Sequence, residues 1–204
     1  MKDLLLLVAD KSMEYTLLGG LGRPQALGIR SITFDIRVHP DRDGGVLTTG
    51  AQILNLQEAR YRHAFLMLDY QGSGSKLGPA ELESELDNKL RGWGDRAKSI
   101  VINPELDVWL WATDNLLAQI LSWPVSAGGI RAWIQGKGFE LDESSKPKRP
   151  KEAFEAVFRY CRVPRSAANY KKIAERTSLQ NCEDPAFQRF HKTLQEWFPP
   201  AHSS

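Results

Sequence analysis

The chain has little cysteine, no long apolar run and almost no net charge. Its two cysteines, Cys161 and Cys182, are too few and too isolated for a zinc knuckle or a disulfide scaffold, so a reducing cytoplasm is the expected setting. The longest apolar run near the start, residues 4–9, is too short to cross a bilayer, and polar residues follow it rather than a small-residue cleavage site. It reads as a buried strand, and no membrane partner is expected. Internal repeats are absent, and "GSGSK" at residues 72–76 lacks the spacing of a P-loop. What remains is an ordinary globular composition, 42% hydrophobic and 25% charged over 204 residues, enough for one domain with a core and an appendage.

The net charge of +2 hides an asymmetry. Residues 144–176 carry ten Lys and Arg against Glu152, Glu155 and Glu175, a local +7 that leaves −5 for the rest. Such a segment suits a phosphate-rich partner, because each cation that neutralises a phosphate releases a counterion. Lys146, Lys148, Arg149 and Lys151 are the candidate nucleic-acid contacts, and a solvated linker followed by a surface helix is the plain alternative.

Strand-like runs at residues 3–9, 31–38, 63–69 and 97–102 alternate with helical patterns at 12–21, 46–62, 79–91 and 104–121. Alternation of this kind indicates βαβ units, hence an α/β fold with a mostly parallel sheet covered by helices on both faces. "ESSKPKRPKE", residues 143–152, is linker-like, because its prolines and like charges disfavour packing. Helical stretches follow at 151–162, 166–176 and 184–197. The expected organisation is a core over residues 1–142 and, over 143–204, a basic linker with C-terminal helices on or beside it.

Acidic residues mark the strand ends. Asp10 closes the first strand with Glu14 one helical turn later, Asp69 closes the third, and the fourth leads through Asn103 and Pro104 to Glu105 and Asp107. Asn103 is the expected N-cap and Pro104 the first helical residue. In a parallel sheet these groups emerge at one edge, where ligands bind. Carboxylates crowded there raise one another's pKa unless a cation intervenes, and hard oxygen ligands suit Mg²⁺ or Mn²⁺. Two residues along a helix turn the direction by about 200°, so Glu105 and Asp107 cannot both face the site. Asp107 is the favoured ligand and Glu105 its neighbour outside. The bland alternatives are a helix cap for Asp10 and a dipole contact for Asp107. "HPDRDGGV", residues 39–46, offers a glycine pair for phosphate, although a tight loop with solvated acids is the commoner outcome. His63 and His191 read as packing residues, and most tryptophans as core anchors.

"LLLLVADKSMEYTLLGGL", "HAFLMLDYQGSG" and "INPELDVWLWATD", in that order, resemble the three acidic motifs of a Toprim-like family of uncharacterised bacterial proteins found in phage-defence gene clusters. "RPKEAFEAVF" and "DPAFQRFHKTLQEW" are similar to its later segments, so the resemblance spans nearly the whole chain. It implies a Toprim-like core binding Mg²⁺ through Asp10 or Glu14, Asp69, and Glu105 with Asp107. The activity implied is that of a metal-dependent nuclease or other phosphodiester-acting component of antiphage defence. Its partners would be nucleic acid and other defence proteins. The alternatives are a non-catalytic subunit that binds nucleic acid or protein, and a nucleotidyl transferase. The chain departs from the motifs in two places: Ala9 and Asp10 stand where a glutamate and a glycine are usual, and Gln71 where a second aspartate is common.

Overall fold

The computed structural model describes residues 1–111, 113–177 and 182–200. Strand β1 (Lys2–Val8) pairs in parallel with β2 (Phe34–Val38) on one side and β3 (Tyr61–Asp69) on the other, and β4 (Ala97–Ile102) lies outside β3. The order is β2-β1-β3-β4, all parallel. Leu4 to Val8 and Ala64 to Leu68 are buried without alternation. Only a sheet covered on both faces accepts such continuous apolar runs.

The principal helices are α1 (Lys11–Leu21), α2 (Pro79–Lys89), α3 (Asp107–Leu110), α4 (Asp114–Leu121), α5 (Ile130–Gly136), α6 (Pro150–Tyr160), α7 (Ala167–Ala174) and α8 (Pro185–Trp197). On one face, the Phe65 ring meets Phe190 and Trp197 of α8 at 4.9 and 4.7 Å. Covering the other is a helical stretch at 42–55, where a Cβ on Gly50 would meet Leu66 at 2.7 Å and Leu7 at 3.5 Å. Helix α7 lies so close to α1 that a Cβ on Gly19 would sit 2.8 Å from the Lys171 carbonyl. The C-terminal helices therefore pack on the core. This is consistent with a Toprim-like α/β fold carrying C-terminal helices.

Three local expectations are corrected. The helix expected at 46–62 instead begins at Arg42, passes through a π turn over Val46–Gly50 and ends at Asn55, because Tyr61 is taken by β3 opposite Lys2. The helix expected at 104–121 is divided into α3 and α4, with Ala112 outside the described residues. Asn103 is not its cap: the Asn103–Pro104 peptide is cis, the Pro104 carbonyl accepts the Gln71 N–H at 3.1 Å, and the Leu106 N–H goes to Asp69 at 2.8 Å. Those bonds tie the turn to the end of β3. The supposed linker is packed as well. Leu141 and Pro147 form an antiparallel bridge, Pro147 and Pro150 are buried, and the Trp111 indole N–H donates to the Pro150 carbonyl at 3.1 Å. Residues 178–181 and 201–204 of the expected C-terminal unit lie outside the described residues.

A candidate acidic centre

From β1 the chain moves to β2 on one side, then crosses to β3 on the other. The crevice at the carboxyl ends of β1 and β3 is therefore the topological switch point, where open α/β sheets bind ligands. Asp10 stands at its β1 side as the N-cap of α1, accepting the Met13 N–H at 2.8 Å. The bland reading of Asp10 as a cap thus holds, yet its charge also acts on Asp43 and Asp69. Glu14 instead forms an ion pair with Lys11 at 2.5 Å.

Asp69 closes β3. Its Oδ1 accepts the Leu106 N–H at 2.8 Å, and among the described residues no other donor reaches the carboxylate. Burial, followed by the like charges of Asp43, Asp107 and Asp10, holds this carboxyl well above the usual carboxylate range, against the opposing Leu106 N–H. Each ionised neighbour makes ionising the next more costly.

Asp43 is the acid that reading the sequence missed. It lies in "HPDRDGGV", expected as a loop of solvated acids, but its Oδ1 accepts the Asp69 N–H at 2.8 Å. Burial first, then Asp10, raise its carboxyl, while the Asp69 N–H and Lys151 oppose. A Cβ on Gly72 would sit 2.5 Å from Asp43 Oδ2, so the glycine permits this approach. Buried His39 fixes the loop: its Nδ1 accepts the Asp41 N–H at 3.1 Å, which leaves Nε2–H to donate to the Thr49 hydroxyl at 2.9 Å. The Gly45 N–H, one of those offered to a phosphate, is taken by the Asp41 carbonyl at 3.0 Å.

Glu105 and Asp107 are both buried, and both have partners from the C-terminal helices. Lys151 of α6 lies 3.2 Å from Glu105. Tyr170 of α7 donates to Asp107 Oδ1 at 2.5 Å, with Arg165 3.7 Å from Oδ2. Burial still raises both carboxyls, with Lys151 opposing at Glu105 and Tyr170, Arg165 and Lys151 opposing at Asp107. The structure thus brings Asp10, Asp43, Asp69 and Asp107 into one electrostatic centre and places Lys151 and Arg165 beside it.

The other basic candidates lie elsewhere. Lys146 Nζ is 3.8 Å from Cys182 Sγ, Lys148 pairs with Glu140 at 2.8 Å, and Arg149 lies 5.2 Å over the Phe139 ring. His63 stacks on Trp197 at 4.5 Å and His191 Nε2 meets the Leu27 carbonyl at 2.8 Å, so both are packing residues.

Mg²⁺ or Mn²⁺ is the cation the acidic motifs imply. Among the described residues, no group of three or more His, Cys, Asp or Glu is arranged as a metal cage. The donor chemistry nevertheless fits: every candidate ligand is a carboxylate, and Asp69 keeps acceptor capacity that no protein donor uses. Mg²⁺ ordinarily takes one or two carboxylates, several waters and substrate phosphate, which this arrangement can supply. No family model matches the chain, and neither does any curated protein or solved structure. Among the described residues no helix is long and apolar enough to cross a membrane.

Proposed function

We propose that the chain is a Toprim-like, Mg²⁺- or Mn²⁺-dependent nuclease or related phosphodiester-acting component of bacterial antiphage defence, working in the cytoplasm on nucleic acid. The observation that carries this reading is Asp69, half-buried at the switch point, its N–H held by Asp43 and its Oδ1 by the Leu106 N–H, with the charges of Asp43, Asp107 and Asp10 all raising its carboxyl. A folded chain tolerates such crowding when a cation or substrate uses it. Asp69 and Asp10 would hold the cation, with Asp43 orienting the Asp69 backbone. The chemistry such a cation would supply there is polarisation of a phosphate and charge stabilisation at a leaving oxygen. Lys151 and Arg165 would offset phosphate charge as the substrate approaches, and contacts of this kind hold a backbone without reading its sequence.

Purified protein incubated with plasmid, single-stranded DNA and RNA in Mg²⁺ or Mn²⁺ tests the proposal. Cleavage should require the metal and fall by a factor of about 100 or more in Asp69→Asn, as for other direct losses of transition-state stabilisation of about 3 kcal/mol. Cleavage by the variant at the wild-type rate would overturn it. A second reading, a non-catalytic subunit binding nucleic acid or a partner protein, is favoured by one observation. Glu105 and Asp107 already have Lys151 and Arg165 as internal counter-ions. On that reading no substrate is cut, and Asp69→Asn leaves phage protection intact.

A further inference from the structure

Away from the acidic centre, a cavity of about 650 Å³ opens between the turn after α5, the end of α7 and the segment leading into α8. Its size is that of a small-molecule site. Two cations line it without a carboxylate partner among the described residues. Lys146 has only the Cys182 thiol, at 3.8 Å, and Arg176 pairs with the neutral Gln119 amide oxygen at 2.9 Å. Much of the nearby basic segment behaves differently, since Lys148, Lys151, Arg165 and Lys171 each have an acid. Arg131, the third cation on the wall, forms an ion pair with Asp114 at 2.5 Å and donates through Nε to the Ser145 carbonyl at 2.7 Å, which fixes the wall rather than adding charge. Exposed Glu183 at the rim offsets one positive charge, so a net positive charge remains. Ser144 and Ser145 add hydroxyls, and the nearly buried Trp109 and Trp111 present an apolar wall.

We propose that this cavity binds a small organic phosphate, with Lys146 and Arg176 holding the phosphate and the tryptophan wall accommodating the apolar remainder. The two cations supply charge-assisted hydrogen bonds, the strong kind for a phosphate oxygen. Nucleic-acid strands are held along open grooves lined by successive exposed aromatic faces, whereas the aromatic surface here is confined to one wall of a bounded cavity. A role for Lys146 in this cavity also separates it from the acidic centre, where Lys151 alone of the four basic candidates arrives.

The test is binding of AMP and of pyrophosphate to the full chain, followed by calorimetry and by the fluorescence of Trp109 and Trp111. AMP should bind saturably at or below about 1 mM. Lys146→Gln and Arg176→Gln should each weaken it about tenfold. Lys148→Gln, whose partner Glu140 lies outside the cavity lining, and Asp69→Asn should bind as wild type does. Retained binding in Asp69→Asn keeps this result separate from the fate of the nuclease reading. The proposal is overturned if neither AMP nor pyrophosphate binds, or if both cation variants bind AMP with wild-type affinity. It is also overturned if a short single-stranded oligonucleotide alone binds and loses affinity in those variants, which would assign the surface to nucleic acid.

Discussion

At His63, burial and then the nearby Arg96 lower the imidazole pKa from 6.5 to about 4, and the buried Nδ1 has no partner among the described residues. A ring neutral in the folded chain but protonated at lower pH when unfolded stabilises the fold fully above pH 6.5, and the contribution is lost as pH falls toward about 4. His63→Phe keeps the stack on Trp197 and should flatten the decline in thermal midpoint across that window; an unchanged decline would place its cause elsewhere. Gly72→Ala probes Asp43. The new Cβ overlaps the Asp43 carboxylate, so the chain should still fold, at a cost of about 1–3 kcal/mol, while stabilisation by Mn²⁺ weakens. Thermal melts with and without Mn²⁺ measure both, and full Mn²⁺ stabilisation in the variant would remove Asp43 from the centre. Asp69 was legible because it ends an apolar run. Asp43 was not, since its loop carries Asp41 and Asp43 two residues apart, and only the contacts of Asp41 with His39 and of Asp43 with Asp69 decide which turns inward.

Among the elements, the exposed edge of β4 is closed by side chains of α2. Asp87 accepts the Ser99 N–H at 2.6 Å and its hydroxyl at 2.7 Å, and Glu83 accepts the Val101 N–H at 2.9 Å. Unpaired edge N–H groups invite pairing with other chains, so these carboxylates act as covers. Asp87→Ala leaves the Ser99 N–H without its acceptor, while the Ser99 hydroxyl keeps the Glu83 carbonyl at 2.8 Å, and should cost about 1–3 kcal/mol in urea denaturation. Asp87→Asn, which keeps an acceptor oxygen, should cost less; equal midpoints for wild type and Asp87→Ala would deny the cover any energetic weight. The four strands could be read from the sequence to within a few residues, because burial on both faces leaves uninterrupted apolar runs. Helix limits near the site were less legible. Asn103 and Pro104 carry the local signals of a helix start, but the bonds from Gln71 to Pro104 and from Leu106 to Asp69 override them. The prolines of the supposed linker misled for a related reason: lacking an N–H, a proline can be buried without leaving a donor unsatisfied.

Across the whole molecule, the separation into a basic segment and an acidic remainder, visible in the sequence, becomes contact between the two. Glu140 meets Lys148, Glu105 meets Lys151 and Asp107 meets Arg165. Neutralising Lys146, Lys148, Arg149 and Lys151 together should lower affinity for nucleic acid and flatten its salt dependence. An unchanged slope would deny this segment any contact with nucleic acid. The parallel sheet makes the acidic centre possible, because it brings every strand end to one edge. Without a cation, Asp69 is raised by burial and by its acidic neighbours, so its contribution to stability is fully present below the unfolded value of about 3.9 and is lost as pH rises from there through the raised folded value. Asp69→Asn removes that loss. The most direct test of the acidic centre is therefore the thermal midpoint at neutral pH, with and without Mn²⁺, for wild type and Asp69→Asn. The account predicts that Mn²⁺ raises the midpoint of the wild type alone, and that the metal-free variant melts above the metal-free wild type. A wild type indifferent to Mn²⁺, or a variant that gains as much from it, would contradict the assignment of these carboxylates to a cation.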